Sequence, residues 1–317
     1  MPKISIIMPS LNVVTYIKEC MDSVLRQSFH DIEVISVDAG STDGTLEVLN
    51  NYAEQDSRVR IINSNRKSYG YQINMGVAYA KGDYIGIVDT DDEIVSDMYE
   101  KLYNVATESG VDYVKGTAKG FFSLPDKERY CYPIQIFDLE DDYSRINVIP
   151  KDTPDLLTMD NFLWYGLYRR SFFKNIKLHE TAGAAFQDMG ALFQIQSKAK
   201  KAVYIKHVVY YYRLDNMNAS TYNTKGFKFI ANEYGYAEKF LSRLSPEWHT
   251  SFYRKLFHHF MDRMYAMAAA GNFWEDTLLD MQKISNRLKW ANETGFLTLK
   301  DLPEEQWHDL NLLWKSP

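Results

Sequence analysis

The sequence predicts an α/β fold with a mostly parallel central sheet and flanking helices, followed by a C-terminal helical region. Three observations predict it. Short apolar runs alternate with segments of helical periodicity, each run ends in turn-forming or acidic residues, and beyond Lys225 the strand signals stop while helical spacing continues.

Ile4 to Met8 is a run of the kind a buried strand needs, closed by the turn-rich Pro9-Ser10-Leu11-Asn12. Ile17, Met21, Val24 and Leu25 then recur at helical spacing between Val14 and Gln27, and Ile32 to Val37 is a second strand ending at Asp38. A β-α-β unit of this kind favours parallel pairing with a right-handed crossover. The small and polar loop Ala39 to Thr45 leads into a helix from Leu46 to Ala53, Val59 to Ile62 is a third strand, and Tyr71 to Ala80 a third helix, closed by Lys81-Gly82-Asp83 with the glycine at its C-terminus. Tyr84 to Val88 is the fourth strand and runs straight into Asp89-Thr90-Asp91-Asp92.

Glu93 to Ser109 fits a helix and Asp112 to Gly116 a strand. Phe121 to Asp155, with prolines at 125, 133, 150 and 154, reads as loops and short strands over an active-site mouth. Trp164 to Arg169 is a strand, Ser171 to Asn175 a short helix, Gln187 to Ala199 a helix, and Val203 to Ile205 and Val208 to Arg213 are edge strands. Helices are expected at 227–244, 248–270, 272–290 and 303–314, which places a boundary near residue 224.

A net charge of −6 offers no broad basic face, so nucleic acid is not an expected partner. Cys20 and Cys131 lack the spacing of a redox or metal motif, which fits free thiols in a reduced compartment. With no charged-then-apolar leader before the first strand and no run of 18 apolar residues, a cytoplasmic location is expected.

The chemistry concentrates at strand ends. Like charges ~4 Å apart repel by about 4 kcal/mol at the effective dielectric of a protein surface, so Asp89 and Asp91 call for a cation, and hard carboxylate oxygens suit Mg²⁺ or Mn²⁺. Acidic residues also favour a helix N-terminus, which is the alternative role for Asp91, Asp92 and Glu93. In open α/β sheets ligands bind beyond the carboxyl ends of the strands, where Pro9-Ser10, Asp38 and Asp89-Thr90-Asp91 all fall. A nucleotide suits them: Ser10 donates, Asp38 accepts from a base N–H, and Asp89 reaches ribose hydroxyls. Capping of the following helix is the alternative for Asp38 and Asp43.

Pro9-Ser10-Leu11-Asn12, Asp38 to Thr45, Asn74 to Ile85 and Val88 to Asp92 resemble, in order and spacing, the successive signatures of the family 2 glycosyltransferases. The resemblance covers roughly the first 220 residues. It implies a GT-A fold, which is Rossmann-like, a UDP-sugar donor, a divalent metal at an Asp-x-Asp motif, and inversion at the anomeric carbon. By position it implies Asp38 at the nucleobase, Asp89 at the ribose or metal, and Asp91 at the metal. The chain departs from the family pattern at Ala39, where a second acid is common, and at Gln72-Ile73-Asn74, where Ala-Arg-Asn is common; Arg66, Lys67 or Tyr71 are the substitutes for that missing base. The resemblance further implies a general base near Phe186-Gln187-Asp188-Met189, for which Asp188 is the candidate. It also implies that Arg213 and Ser220 reach the diphosphate, since arginine donates bidentately to phosphate oxygens.

The donor set is therefore Pro9, Ser10, Asn12, Asp38, Tyr71, Asn74, Asp89, Thr90, Arg213 and Ser220, with Asp89, Asp91 and His207 as metal ligands. Trp164, Tyr168, His179 and Gln187 are the acceptor candidates, although Trp164 and Tyr168 suit a core equally. Residues 1–224 would form the catalytic domain, with a nucleotide-sugar half over about 1–115 and an acceptor half over about 116–224, and residues 225–317 the helical region. The apolar surface of that region, including Phe252, Phe257, Phe260, Met261, Met264 and Tyr265, packs on the catalytic domain or docks peripherally on a membrane or a second copy. The expected function is sugar transfer from a UDP-sugar to a hydroxyl of a glycan or glycolipid acceptor in surface polysaccharide or lipooligosaccharide synthesis. The rival is a non-catalytic nucleotide-sugar-binding assembly subunit.

Overall fold

All seven residues of β1 (Ile4–Ser10) are buried. It pairs in parallel with β2 (Ile32–Asp38) on one side and β4 (Tyr84–Ile87) on the other, and β2 pairs in parallel with β3 (Val59–Asn63). Strands covered on both faces need largely apolar sequence, which is why β1, β2 and β4 are rich in Ile and Val, whereas the edge strand β3 is half-buried and carries Arg60. The crossovers are α1 (Ile17–Leu25), α2 (Thr45–Gln55) and α3 (Tyr69–Tyr79). This computed structural model describes residues 1–123, 129–134, 137, 145–160, 162–183, 186–219, 226–269, 277–298, 300 and 302–315.

The sheet continues through β5 (Glu93–Ile94), β6 (Tyr113–Ser123), β7 (Arg129–Ile134), β8 (Arg145–Val148), β9 (Gly166–Arg169) and β10 (Ala202–Arg213), after α4 (Met98–Ser109). Its order is β3-β2-β1-β4-β9-β6-β10-β5, with β7 on β6 and β8 on β10. Strand β9 is antiparallel to both β4 and β6, while β6 and β10 run parallel, and β5, β7 and β8 also pair antiparallel, so the parallel strands expected from the sequence form the β3-β2-β1-β4 half of a mixed sheet.

Three elements differ from expectation. The helix foreseen from Glu93 begins only at Met98, because the Ser23 hydroxyl takes the Ile94 N–H at 3.2 Å and the Val209 carbonyl takes that of Val95 at 3.1 Å. Glu93–Ile94 is thereby held as a strand on β10. The two foreseen edge strands are one strand, β10, bent by register shifts at Tyr204/Val208 and Val208/Tyr210, and it is internal, flanked by β6 and β5. Helix α3 ends at an extended Ala80 without a glycine cap; Gly82 serves close approach instead, since a Cβ there would lie 2.6 Å from the Ser5 nitrogen.

The remaining helices are α5 (Leu156–Met159), α6 (Arg170–Phe173), α7 (Asp188–Lys198), α8 (Gly226–Ala237), α9 (Pro246–Ala269), α10 (Leu278–Glu293) and α11 (Glu304–Lys315). The chain forms two compact units. One comprises Met1–Thr153, Phe162–Gly183 and Lys198–Met217, carries the sheet, and has a core that includes Met8, Val34, Val88, Tyr99, Leu102, Trp164 and Tyr210. The other comprises Pro154–Asn161, Ala184–Ser197 and Asn218–Pro317; its core joins Leu157 and Phe193 to Phe227, Tyr234, Phe252, Leu256, Ile284 and Leu288. Among the described residues, no helix is long and apolar enough to cross a membrane.

Candidate active site

The end of β4 is tied down by its neighbours before any ligand is considered. Thr90, buried, donates its hydroxyl to the Pro9 carbonyl at 2.8 Å. Tyr210 on β10 accepts the Asp89 N–H at 3.1 Å and donates its own hydroxyl to Asp92 Oδ2 at 2.9 Å, while the Arg213 N–H reaches Asp92 Oδ1 at 2.7 Å. Asp92 is therefore buried and internal. Asp89 and Asp91 are half-buried, Asp89 accepting from the Tyr69 hydroxyl at 3.1 Å and Asp91 from the Asn216 amide at 2.8 Å.

These carboxylates act on one another. Burial, then the Asp91 and Asp89 charges, hold Asp92 well above the usual carboxylate range. Cys20, buried beneath the tip with its Sγ 3.5 Å from the Asp89 carbonyl, is pushed up by burial and then by Asp92, Asp91, Asp89 and Glu93. Negative potential is concentrated at this strand end, as the sequence implied.

Arg213 lies beside the tip but is itself buried. Its Nε donates to the Asp91 carbonyl at 2.7 Å, its other nitrogens reach Glu19 at 2.6 Å and Ser123 at 3.3 Å, and its plane covers the rings of Tyr16 and Phe121 at 4.7 Å. In this arrangement the guanidinium holds the Asp91–Asp92 turn. Ser220, its expected companion, lies outside the described residues.

At the end of β2, Asp38 is buried and satisfied from within the chain. Oδ1 accepts the N–H groups of Gly40 and Ser41, both at 2.9 Å, and Oδ2 accepts the hydroxyls of Ser41 at 2.6 Å and Ser10 at 3.3 Å. Asn12, with φ 54°, takes the Thr42 N–H on its side chain and gives its own N–H to Ser41, both at 2.9 Å. The residues foreseen at the nucleobase thus build one ordered loop, and Asp43 anchors its far end by accepting from Thr45 and Val14. Gln72, which sequence reading passed over as a motif departure, ties both strand ends, donating to the carbonyls of Ser10 at 2.9 Å and Val37 at 2.6 Å.

Helix α3 also fixes the segment that precedes the candidate base. The Asn74 amide exchanges hydrogen bonds with the backbone of Leu178 at 2.9 and 3.1 Å and reaches Glu180 at 3.1 Å. Gly70 lets the chain pass so closely that a Cβ there would lie 2.0 Å from the His179 carbonyl oxygen, and Gly183 donates to the Lys67 carbonyl at 2.7 Å. Arg66 stacks on Tyr71 at 4.6 Å and pairs with Glu180 at 3.0 Å. His179 is half-buried, its Nδ1 2.9 Å from the Thr181 hydroxyl.

Two acceptor candidates are core residues. Tyr168 is fully buried and donates to the Leu163 carbonyl at 2.9 Å; Trp164 is buried and stacks on Tyr210 at 4.2 Å and Tyr212 at 5.3 Å. Both side chains are buried, Tyr168 on β9 between β4 and β6 and Trp164 just before that strand, so neither exposes a ring face. His207 stands 3.1 Å from Asp97 rather than joining the acidic tip.

In the helical unit, Asp188 opens α7 half-buried, after a buried Gln187 and a Phe186 held at φ 64°. The Asp188 charge adds to burial in pushing the Tyr234 hydroxyl up.

A family whose description reads glycosyl transferase family 2 matches residues 5–177. The uncharacterized glycosyltransferase EpsJ of Bacillus subtilis (strain 168) is 35% identical over 182 residues, which is 56% of this chain and 51% of EpsJ, so the chain matches about half the length of that relative. Among solved structures, Staphylococcus aureus TarS 1–349 in complex with UDP-GlcNAc superposes with a TM-score of 0.63 at 18% identity, covering 96% of this chain and 82% of that one. The mannosyltransferase PcManGT from Pyrobaculum calidifontis, in complex with GDP-Man and Mn²⁺, gives 0.57 at 15% identity, covering 91% and 87%. Both likenesses bear on the fold, and it is the GT-A fold. The family match takes in the strands that carry Asp38, Asp89 and Asp91 and more than half of the sequence, so the chain belongs to glycosyl transferase family 2.

Proposed function

We propose that this chain is a glycosyltransferase that moves a sugar from a UDP-sugar to a hydroxyl of a glycan or glycolipid acceptor, with inversion and with the aid of Mn²⁺ or Mg²⁺, in the synthesis of a surface polysaccharide or lipooligosaccharide. The observation that carries it is the acidic tip: two half-buried carboxylates, Asp89 and Asp91, at the carboxyl end of β4, with the ordered Asp38 loop at the end of β2. UDP-GlcNAc in TarS and GDP-Man with Mn²⁺ in PcManGT support a nucleotide-sugar donor on this fold.

The tip fits a divalent cation as half of a site. Among the described residues no group of three His, Cys, Asp or Glu is set to hold a metal alone, and Mg²⁺ and Mn²⁺ commonly take one or two carboxylates plus substrate phosphates. Asp91 and Asp89 would hold the cation, whose chemistry when bound is Lewis-acid stabilisation of the departing diphosphate. His207, turned to Asp97, is not needed for that set.

The chain's own residues do the rest. Pro9, Ser10, Asn12 and Asp38 order the loop that receives the base, Asp89 and Thr90 lie toward the ribose, and Tyr71 with Arg66 stands where the family's missing arginine would. Arg213 positions the Asp91 backbone, and Ser220 is assigned to the diphosphate. Asp188 takes the proton of the acceptor hydroxyl as its oxygen attacks, and His179 and Gln187 orient that hydroxyl. Catalysis belongs to residues 1–224, and 225–317 supports it or docks on a membrane that presents a lipid-linked acceptor.

Screening UDP- and GDP-sugars for metal-dependent thermal stabilisation tests the donor, since a ligand at 100 times its dissociation constant stabilises by ~2.7 kcal/mol. A UDP-sugar is expected to stabilise only with metal present. Stabilisation by none, or equally with and without metal, would overturn the donor and metal assignments. Asp188→Asn should abolish transfer to acceptor while donor binding stays unchanged; turnover within tenfold of wild type would remove Asp188 from the mechanism.

A further inference from the structure

A separate cavity of about 430 Å³ opens at the other end of β4, between the start of that strand, α4 and α6. Tyr84 lines it and pairs with Arg169, whereas Asp89 and Asp91 follow the strand's opposite end. At ~3.3 Å per residue, Tyr84 and Asp89 stand roughly 16 Å apart, so this cavity is distinct from the candidate active site.

Its lining is cationic in an acidic protein. Arg169, Arg170 and Lys174 face it, and among the described residues none of the three has a carboxylate within ion-pair distance. Asp83, the acid of the lining, is 3.4 Å from the Lys3 ammonium. With a net charge of −6 overall, three unpaired cations around one cavity are not what composition alone would give. Like charges gathered in one place repel, and the single acid of the lining, Asp83, is paired with Lys3 rather than with any of the three.

The two guanidiniums are also held in place. Arg169 donates to the Val111 carbonyl at 2.7 Å, and Arg170 donates through Nε to the Gly82 carbonyl. A guanidinium carries five N–H donors, so one carbonyl bond fixes its orientation and leaves the rest of the fork for a planar or tetrahedral oxyanion. Lys174 adds an exposed point charge and Ser171, also exposed, a hydroxyl. Fixed arginine forks with an adjacent lysine match phosphate better than carboxylate, because three charges suit a group carrying between one and two negative charges on several oxygens.

We propose that this cavity binds a phosphate group, presented either by a soluble phosphorylated molecule or by an anionic lipid headgroup. The test uses the full chain with Arg169→Gln/Lys174→Glu, and Lys174→Glu alone as the variant that changes only an exposed side chain. Inorganic phosphate is titrated by calorimetry in the presence of EDTA, and flotation is measured with phosphatidylglycerol-containing vesicles against phosphatidylcholine alone. Wild type is expected to bind phosphate, with at least tenfold weakening in the double variant, a smaller loss in Lys174→Glu, and unchanged UDP-dependent stabilisation in both. Flotation with the anionic vesicles that inorganic phosphate competes away identifies the headgroup as source; phosphate binding without flotation identifies a soluble one. Absence of both, or equal binding by wild type and double variant, would overturn the site.

Discussion

Tyr210 illustrates how single residues hold the acidic tip together. Its hydroxyl receives from the Asp89 backbone and gives to Asp92, so the two acids of the turn are fixed through one phenol on a strand more than a hundred residues away. Tyr210→Phe leaves buried Asp92 without that donor, and a buried polar group losing its partner costs about 1–3 kcal/mol. Chemical denaturation should show a loss in that range; a change below ~0.5 kcal/mol would mean that the bond contributes nothing. The positions of Asp38, Asp89 and Asp91 were legible in the sequence because Asp38 ends one apolar strand and the other two lie just beyond another, which places them at carboxyl ends whatever the rest of the fold does. Tyr210, Gln72 and the burial of Arg213 were not, because each depends on which distant segment lies alongside. Trp164 and Tyr168 were left open between cleft and core for the same cause: an apolar strand reads alike at a cleft and at the centre of a sheet.

At the scale of elements, the β-α-β start was readable from periodicity, and the short β5 was not. Glu93 and Ile94 have ordinary helical neighbours in sequence and are held as a strand by Ser23 and Val209, which no local propensity reports. The same holds for α3, whose Gly70 exists to let the Leu178–Gly183 segment pass. Gly70→Ala would drive a Cβ into the His179 carbonyl, so that segment must shift. Faster proteolysis or hydrogen exchange across 178–183 is expected, and unchanged protection there would show that the close approach is not needed. In the helical unit, Phe252 packs edge-on against Phe193, Tyr234 and Tyr253. Phe252→Ala should cost about 3–5 kcal/mol as a large core truncation, read as a lowered denaturation midpoint.

At the scale of the whole molecule, two compact cores share one chain, and the helical one carries an acid-sensitive group. Burial, with the Lys255 and Arg263 charges adding, pushes His259 down from 6.5 to about 3. An imidazole that stays neutral when folded and takes a proton when unfolded contributes stability that is complete above about pH 6.5 and is lost as the pH falls toward 3. The loss should approach ~1.4 kcal/mol per pH unit within that window, and His259→Phe, beside Phe186 and Tyr234, should flatten the slope. Identical slopes in wild type and variant would contradict it. The central claim, that the acidic tip is a metal-assisted donor site, is tested most directly by UDP release from a UDP-sugar by the purified chain, with and without Mn²⁺ or Mg²⁺, in wild type and Asp91→Asn. Metal-dependent release in wild type, lost at least a hundredfold in Asp91→Asn with an unchanged melting temperature, is the predicted result. Release that ignores the metal, or that survives Asp91→Asn within tenfold, would contradict it.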